Sequence, residues 1–174
     1  KKYPTTDKLL LAKRSEIENV IKVAGLGKQK SASIKNFLSA LIIKSSKLDL
    51  HHIKKMTDEE IMNELTSVKG IGVKTASCVL LFSLDRNVCP VDTHVHRTLN
   101  RVGIVKTSTP DKTFLLLNGK LPDKIGHQFH TNLIKLGREI CKPAKPLCSI
   151  CPLLEVCKFK MKNLQNVDKK SVNN

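Results

Sequence analysis

Hydrophobic residues recur at intervals of three and four along most of this chain, which is the spacing of amphipathic helices. The clearest case is a segment from about residue 28 to residue 46, where apolar positions share one face and lysines occupy the other. The apolar residues of this face are Ile34, Phe37, Leu38, Leu41 and Ile42. No stretch has the alternation of a strand, so the pattern predicts an all-α fold.

Capping signals indicate where several of these helices start. Ser15–Glu18 and Thr57–Glu60 both have a hydroxyl residue followed three positions later by glutamate, which predicts a capping box. Further helices are predicted at about 72–84, from Asp92 through residue 102, from Thr109–Pro110 onward, and at about 126–140. After residue 162 the chain is polar, and this tail is predicted to be frayed.

The charge balance favours a polyanionic partner. The 174 residues include 31 Lys and Arg against 15 Asp and Glu, which gives a net charge of +16. Such an excess favours salt-dependent binding to nucleic acid, with a membrane surface or a lysine-rich solvated surface as alternatives. No apolar run approaches the roughly 20 residues that span a bilayer. Aromatic residues make up only 3%, which disfavours a stacking platform for single strands.

Four of the six cysteines lie close together, with six, two and five residues between successive members. They are Cys141, Cys148, Cys151 and Cys157. Thiolates this close in sequence can converge on one metal centre with little loop-closure cost. Zinc is the alternative to an iron–sulfur centre, although structural zinc more often uses two separated C-x-x-C pairs and only one is present.

The other two cysteines, Cys78 and Cys89, carry no signal of their own and are interpreted as buried structural residues. No secretory signal is recognised at the start of the sequence, so we expect an intracellular protein without a disulfide framework.

Two glycines, Gly70 and Gly72, stand one residue apart between two predicted helices. Glycine lets the backbone turn sharply and approach a ligand, and the second helix then presents free N–H groups and its positive dipole end to an anion. The segment therefore predicts a grip on a nucleic-acid phosphate that reads no base, with Lys69 adding charge. The alternative is an ordinary tight turn between helices.

Lys74 and Asp92 are the candidate catalytic residues. Lys74 lies in the first turn of an otherwise apolar helix, and a neutral amine is a nucleophile that forms Schiff bases with sugar aldehydes. Asp92 could stabilise positive charge that grows on a sugar ring, or help to move a proton. Taken singly, a surface lysine and a helix N-cap are the simpler interpretations.

Three motifs together resemble the endonuclease III branch of the helix-hairpin-helix (HhH-GPD) DNA glycosylases. These are VKGIGVKTA, then PVDTHVHR, then the four-cysteine spacing, and the resemblance extends from about Tyr3 to Lys160. In that family the lysine of the KTA segment attacks C1′ of a flipped nucleotide and the aspartate of the VDTH segment is essential, which implies these roles for Lys74 and Asp92. The family's cysteines hold a [4Fe–4S] cluster, which implies a structural, DNA-facing cluster here.

The resemblance also implies two helical lobes. A lobe of the six-helix-barrel type is expected over residues 1–86, with its hairpin at about 65–84. A helical iron–sulfur lobe is expected over 87–162, before a polar tail at 163–174. The family's N-terminal helices carry an LLSxQ-type motif that nothing in residues 1–14 matches, so these helices are expected to be missing. We therefore expect a monomer, or a partner chain that supplies them.

The function implied is base-excision repair: extrusion of a damaged nucleotide from duplex DNA, loss of its base, and β-elimination through an imine at Lys74. Oxidised pyrimidines are the expected substrates because the motif order is most similar to that branch. Mispaired thymine or uracil, methylated cytosine, and a non-catalytic DNA-binding module are the alternatives. The protein is expected in the nucleoid or cytoplasm of a prokaryote or the nucleus of a eukaryote, with no membrane partner.

The residues expected to contact DNA belong to the hairpin, to the helix after Asp92 and to the cysteine loop. They are Lys69, Gly70, Ile71, Gly72, Val73, Thr75, His94, Lys142 and Lys145. Two positions apart on a helix, His94 and His96 diverge by about 200°. We therefore interpret them as packing or DNA-facing residues rather than as a metal-binding pair.

Overall fold

The computed structural model describes residues 2–165 and has eight α-helices within that range. They are α1 (Thr6–Leu11), α2 (Arg14–Ile21), α3 (Gly27–Ser45), α4 (Asp58–Thr66), α5 (Val73–Leu84), α6 (Thr93–Val102), α7 (Pro110–Leu117) and α8 (Gly126–Glu139). The described residues contain no strand, so the all-α prediction is confirmed. Most of the polar tail predicted at 163–174 lies outside the described residues.

The chain divides into two compact units, Lys1–Ala76 and Ser77–Asn174. The first unit contains α1 to α4 and the first residues of α5, and the second contains the rest of α5 with α6 to α8. The lobe limits expected from the sequence remain a prediction. Within residues 2–165, no helix combines the length and the apolar character that crossing a membrane requires.

The core of the first unit is built from the apolar faces of α2, α3 and α4. Its buried side chains include Ile17, Leu38, Leu41, Ile61 and Leu65. Lys35 of α3 holds the end of α1, because its Nζ donates hydrogen bonds to the carbonyls of Leu10 and, at 3.0 Å, Ala12. Leu38 and Leu41 of the predicted apolar face of α3 are buried, whereas Ile42, near the end of the helix, is 38% exposed.

Glu64 of α4 connects three segments of the first unit. Its Oε2 lies 2.7 Å from Nζ of Lys44 at the end of α3, and its Oε1 lies 2.6 Å from Nε2 of His52 in a short 3₁₀ segment. Burial acts to raise the pKa of the Glu64 carboxyl, but hydrogen bonds from Lys44 and His52, together with their charges, hold that pKa below its usual value. The ionised carboxylate therefore contributes to the stability of this unit.

One of the two predicted capping boxes is wrong and the other is confirmed. α2 begins at Arg14 after Lys13, so the residues of the predicted box at Ser15–Glu18 lie inside the helix. Glu16 Oε2 accepts a hydrogen bond from the Lys13 N–H at 2.9 Å, which starts the helix two residues earlier than expected. The box at Thr57–Glu60 has both of its hydrogen bonds, at 2.7 and 3.3 Å.

The second unit is organised by the close packing of α6 against α8. A Cβ built on Gly137 of α8 would lie 2.8 Å from Cβ of His94 in α6, so only glycine permits this approach. Buried residues around this contact include Val95, Leu99 and Leu133. The packing fixes α6, whose first turn follows Asp92 and whose last turn approaches the cysteine loop.

Candidate functional site

The turn between α4 and α5 has the geometry predicted for a hairpin. The N–H of Val68 bonds to the carbonyl of Leu65 at 3.2 Å, and the N–H of Ile71 bonds to the carbonyl of Val68 at 3.0 Å. Gly70 completes the turn with a φ of +95°, a conformation that side-chain-bearing residues rarely adopt. The first of the two glycines is therefore required by the turn itself.

Two side chains of α3 support this turn, and sequence reasoning did not identify either of them. Ser33 Oγ donates a hydrogen bond to the carbonyl of Gly70 at 3.0 Å, and Asn36 Nδ2 donates to the carbonyl of Lys69 at 3.0 Å. A Cβ on Gly70 would lie only 2.4 Å from Ser33 Oγ. A Cβ on Gly72, in contrast, would have no atom within 4 Å, so the second glycine faces open space.

The N-terminus of α5 can receive an anion. The N–H groups of Thr75 and Ala76 both bond to the carbonyl of Gly72 at 3.0 Å, which makes them the first hydrogen bonds of the helix. The N–H groups ahead of a helix ladder lack partners within that helix, and the helix dipole adds positive potential at this end. Because Gly72 leaves the approach open, the arrangement can bind a phosphate at the backbone.

The predicted hairpin residues stand together around this turn. Lys69, Gly72, Lys74 and Thr75 are exposed, whereas the hydrophobic Ile71 and Val73, like Val68, are half-buried. Lys74 lies in the first turn of α5, directly after the hairpin. Contact of these residues with DNA remains a prediction.

Asp92 is the N-cap of α6, as predicted. Its Oδ1 accepts hydrogen bonds from the N–H groups of His94 and Val95, both at 2.9 Å. Its Oδ2 makes no hydrogen bond within residues 2–165. The half-buried carboxylate is therefore held in place through one oxygen, while the other can act on a ligand.

The segment that leads into Asp92 is fixed by buried side chains. The carbonyl of Pro90 lies 2.8 Å from Nδ1 of His130, which is 5% exposed. Burial, with a contribution from the Asp92 carboxylate, raises the pKa of the Cys89 thiol to about 12. Cys89 is therefore a buried structural residue, as expected, whereas Cys78 is only half-buried.

The two histidines of α6 have separate environments. His94 contacts Gly137 through its Cβ, and its Nδ1 lies 3.3 Å from Nη2 of Arg97. His96 Nδ1 lies 2.7 Å from Oγ1 of the buried Thr113. His96 is half-buried and packs against Thr113, which agrees with the first of its two interpretations, packing or DNA-facing, and the predicted contact of His94 with DNA stays a prediction.

The four clustered cysteines line one cavity of the second unit. None of the six cysteines forms a disulfide. Burial raises the pKa of Cys151, and the neighbouring Cys141, Cys157 and Cys148 raise it further, while a hydrogen bond from the Leu153 backbone opposes both. The four side chains thus share one cavity, and their role as metal ligands stays a prediction.

The cysteine cavity suits a thiolate-bound metal centre by the chemistry of its donors. Four sulfur ligands are typical of iron–sulfur clusters and of structural zinc. No set of three or more His, Cys, Asp or Glu side chains within residues 2–165 is already arranged to hold a metal ion. The donor chemistry of the cavity, which has four cysteines in its lining, nevertheless fits a thiolate-bound centre.

Two arginines of α6 hold the loop that begins at Cys141. Arg97 donates to the Cys141 carbonyl from Nε at 3.0 Å and from Nη2 at 2.9 Å, and Nη2 also donates to the Gly137 carbonyl at 2.7 Å. These bonds attach the end of α8 to α6. The sequence did not reveal this role, because the acceptors are backbone carbonyls that any residue could supply.

Arg101 reaches further into the same loop. Its Nη1 donates to the carbonyl of Lys142 at 2.7 Å and lies 3.5 Å from Sγ of Cys141, and its Nη2 donates to the carbonyl of Pro143 at 2.9 Å. Its guanidinium carbon also lies 4.3 Å from the centre of the Phe159 ring. With its backbone held in this way, the loop presents the exposed side chains of Lys142 and Lys145 to solvent.

Comparison with known families agrees with the helical hairpin. A family model described as HhH-GPD superfamily base excision DNA repair protein matches residues 1–123. The chain belongs to this superfamily. Its cysteine loop lies beyond the matched region.

Relatives in the HhH-GPD superfamily include endonuclease III from two prokaryotes. The chain is 35% identical over 157 residues to endonuclease III of Thermotoga maritima, a match that covers 90% of this chain and 70% of the relative. It is 32% identical over 163 residues to endonuclease III of Sulfolobus acidocaldarius, covering 93% of this chain and 70% of the relative. The chain is therefore an endonuclease III-like member of the superfamily.

Solved structures agree with that placement. The chain matches the protein in a structure of a non-covalent endonuclease III–DNA complex with a TM-score of 0.72 and 28% identity, covering 90% of this chain and 70% of that one. Some relatives are longer: a match to an Arabidopsis thaliana protein at 38% identity covers 87% of this chain but only 55% of the plant protein. The chain thus spans between about half and 70% of the length of these relatives.

Proposed function

We propose that this protein is a bifunctional DNA glycosylase and abasic-site lyase of base-excision repair. It would excise damaged bases, with oxidised pyrimidines as the substrate class, from duplex DNA. The observation that carries this proposal is the position of Lys74, an exposed residue in the first turn of α5 directly after a hairpin turn suited to phosphate. An amine placed beside a backbone-binding turn can reach a sugar that has left the base stack.

The DNA-binding step is assigned to the hairpin, the α6 residue His94 and the cysteine loop. The open N-terminus of α5 would hold one phosphate, with Lys69 and Thr75 beside it. Lys142 and Lys145 would add phosphate contacts from the cysteine loop. A net charge of +16 supports an affinity that falls steeply with salt concentration.

The chemical steps follow from an amine and a carboxylate. The nitrogen of Lys74 forms a bond to C1′ as the bond from C1′ to the base breaks, and the base leaves with the bonding electron pair and a proton. Oδ2 of Asp92, which has no hydrogen bond within the described residues, would stabilise the positive charge that develops on the sugar. Opening of the sugar ring then gives an imine. Loss of a proton from C2′ expels the 3′ phosphate, and water hydrolyses the imine to free the lysine.

The four cysteines are proposed to hold a [4Fe–4S] cluster, with zinc as the alternative. Such a cluster would supply a rigid cross-link for the loop rather than an open coordination site, because all four ligands are protein thiolates. Arg97 and Arg101 already fix the backbone around the first ligand, Cys141. Iron and acid-labile sulfide analysis of the purified protein distinguishes the two metals: a brown protein contains iron and sulfide, and a zinc protein is colourless.

The test of catalysis is borohydride trapping on duplex DNA that contains an abasic site. Wild-type protein is expected to give a covalent adduct, and Lys74→Ala is expected to give none while retaining duplex affinity. Lys135→Ala, an exposed lysine of α8, is the matched control and should trap normally. A trapping-competent Lys74→Ala protein would refute the assignment of the nucleophile, and an inactive wild type that still binds DNA would favour a non-catalytic module.

A second variant separates the chemical role of Asp92 from its structural one. Asn is as good an N-cap as Asp, so Asp92→Asn should keep α6 and change the thermal midpoint little. Excision of thymine glycol should nevertheless fall by about a hundredfold or more, because the neutral amide cannot stabilise the developing charge. Duplexes with a T·G or U·G mispair or with methylated cytosine, tested in parallel, decide the lesion class.

A further inference from the structure

Thr98 is a buried polar residue that the fold leaves without a hydrogen bond. It lies in α6, its side chain is fully buried, and its Oγ1 has no partner within residues 2–165. A threonine inside a helix ordinarily donates to the carbonyl four residues earlier, here that of His94, and this bond is not made. Buried hydroxyl groups in proteins nearly always have a partner, so the missing one needs an explanation.

The surroundings of Thr98 suggest what that partner is. Thr98 lines the same cavity as Cys141, Cys148, Cys151 and Cys157. The other side chains of this cavity are aliphatic or aromatic, or are arginine and lysine, which only donate hydrogen bonds. Among the lining side chains other than Thr98 itself, the cysteine sulfurs are therefore the only ones that can accept a hydrogen bond from its hydroxyl.

We propose that the Thr98 hydroxyl donates a hydrogen bond to a sulfur of the metal centre held by these cysteines, and that it helps to set the reduction potential of that centre. The inference rests on the proposed iron–sulfur cofactor and goes beyond it, because Thr98 is not a ligand. A hydrogen bond to sulfur stabilises the more negatively charged state of a cluster and so raises its potential. Arg101, with Nη1 at 3.5 Å from Sγ of Cys141, is a second donor on the same face of α6.

The test compares the iron-loaded wild type with Thr98→Val, which keeps the shape of the side chain and removes the hydroxyl. We expect the midpoint potential in a spectroelectrochemical titration to shift downward in Thr98→Val. Thr98→Ser, which restores a hydroxyl, should return most of the way to the wild-type value. Thr131→Val, at an exposed position of α8, is the matched control and should leave the potential unchanged.

The outcomes separate this inference from the cofactor proposal. A wild type without iron and sulfide refutes the cofactor, and the inference falls with it. An iron–sulfur wild type whose potential equals that of Thr98→Val refutes only the role of Thr98. If Thr98→Val does not accumulate as a loaded protein, the wild type itself decides: its Fe–S stretching frequencies should shift between H₂O and D₂O after full exchange, and an absence of any shift contradicts the hydrogen bond.

Discussion

The two hairpin glycines should respond in opposite ways to the same substitution. Gly70→Ala places a side chain at a φ of +95°, which costs about 1–2 kcal/mol. The new Cβ would also lie 2.4 Å from Ser33 Oγ and 3.1 Å from Ser33 Cβ, so rotation of the hydroxyl alone does not relieve the contact. Loss of the hydrogen bond from Ser33 to the Gly70 carbonyl adds about 1 kcal/mol. The expected loss of unfolding free energy is about 2–3 kcal/mol.

Gly72→Ala should leave stability nearly unchanged and weaken binding. Its Cβ meets no atom within 4 Å, and its φ lies outside the left-handed region. The loss of a glycine N-cap, about 0.5 kcal/mol, is offset by a similar gain from the reduced entropy of the unfolded chain. The methyl group nevertheless projects into the space where a phosphate would approach the N–H groups of α5. Loss of one charge-assisted hydrogen bond corresponds to a roughly tenfold weaker affinity for duplex DNA.

The assay combines urea denaturation with duplex binding at two salt concentrations for wild type and both variants. Gly70→Ala should have a lower denaturation midpoint with an unchanged slope, and Gly72→Ala should have the wild-type midpoint. The urea midpoint reports on the stability of the fold, and the duplex affinity reports on phosphate binding at the turn. Wild-type affinity in Gly72→Ala would refute the idea that this turn grips a phosphate, and wild-type stability in Gly70→Ala would refute the assignment of strain.

Two further substitutions test the packing and the electrostatics of the units. Gly137→Ala forces a Cβ to 2.8 Å from Cβ of His94. Because alanine also favours the helix, the net loss of unfolding free energy in denaturation should be about 1–2 kcal/mol. The control Asn132→Ala, on the exposed face of α8, should change that free energy by less than about 0.5 kcal/mol. Glu64→Gln should destabilise by about 1 kcal/mol at pH 7, because its lysine and histidine partners are 59% and 39% exposed and solvent screens the pairs. The pKa of Glu64 is lowered in the folded state, so this difference should be complete above the ordinary value of 4.5 and should vanish as the pH falls through the folded value. An undiminished difference at pH 2.5 would contradict the pKa argument.

Features encoded by neighbouring residues were the ones that the sequence predicted well. The cap at Asp92 and the box at Thr57–Glu60 are formed by atoms within three residues of each other, so a local pattern contains the whole interaction. The start of α2 was predicted wrongly for a related reason. The local sequence is compatible with a helix N-cap at Ser15 or at Lys13. The hydrogen bond from the Lys13 N–H to the Glu16 carboxylate makes Lys13 the N-cap. Spacing alone does not rank such alternatives.

Contacts between residues far apart in the sequence could not be predicted from the spacing of residue types. Ser33 supports Gly70 across 37 residues, and Arg97 bonds to the Cys141 carbonyl across 44. In both cases the acceptor is a backbone carbonyl. Because every residue has one, the sequence does not indicate which residue accepts the bond. The orphaned hydroxyl of Thr98 is hidden for the same reason, because its significance depends on which side chains share its cavity.

α6 shows why such contacts matter for a site whose residues are already identified. Its N-cap is Asp92, and nine residues later, roughly 13 Å along the axis, Arg101 bonds to the cysteine loop. A helix of this length moves as a rigid element, so the bonds that fix its last turn also restrict the orientation of its first. Two sets of contacts therefore position Asp92. The N–H groups that it caps hold it locally, and the bonds of Arg97 and Arg101 to the cysteine loop, with the contact of His94 with Gly137, hold the whole of α6. The sequence motif identifies Asp92 as the candidate carboxylate, and the tertiary packing of α6 determines the orientation of its side chain.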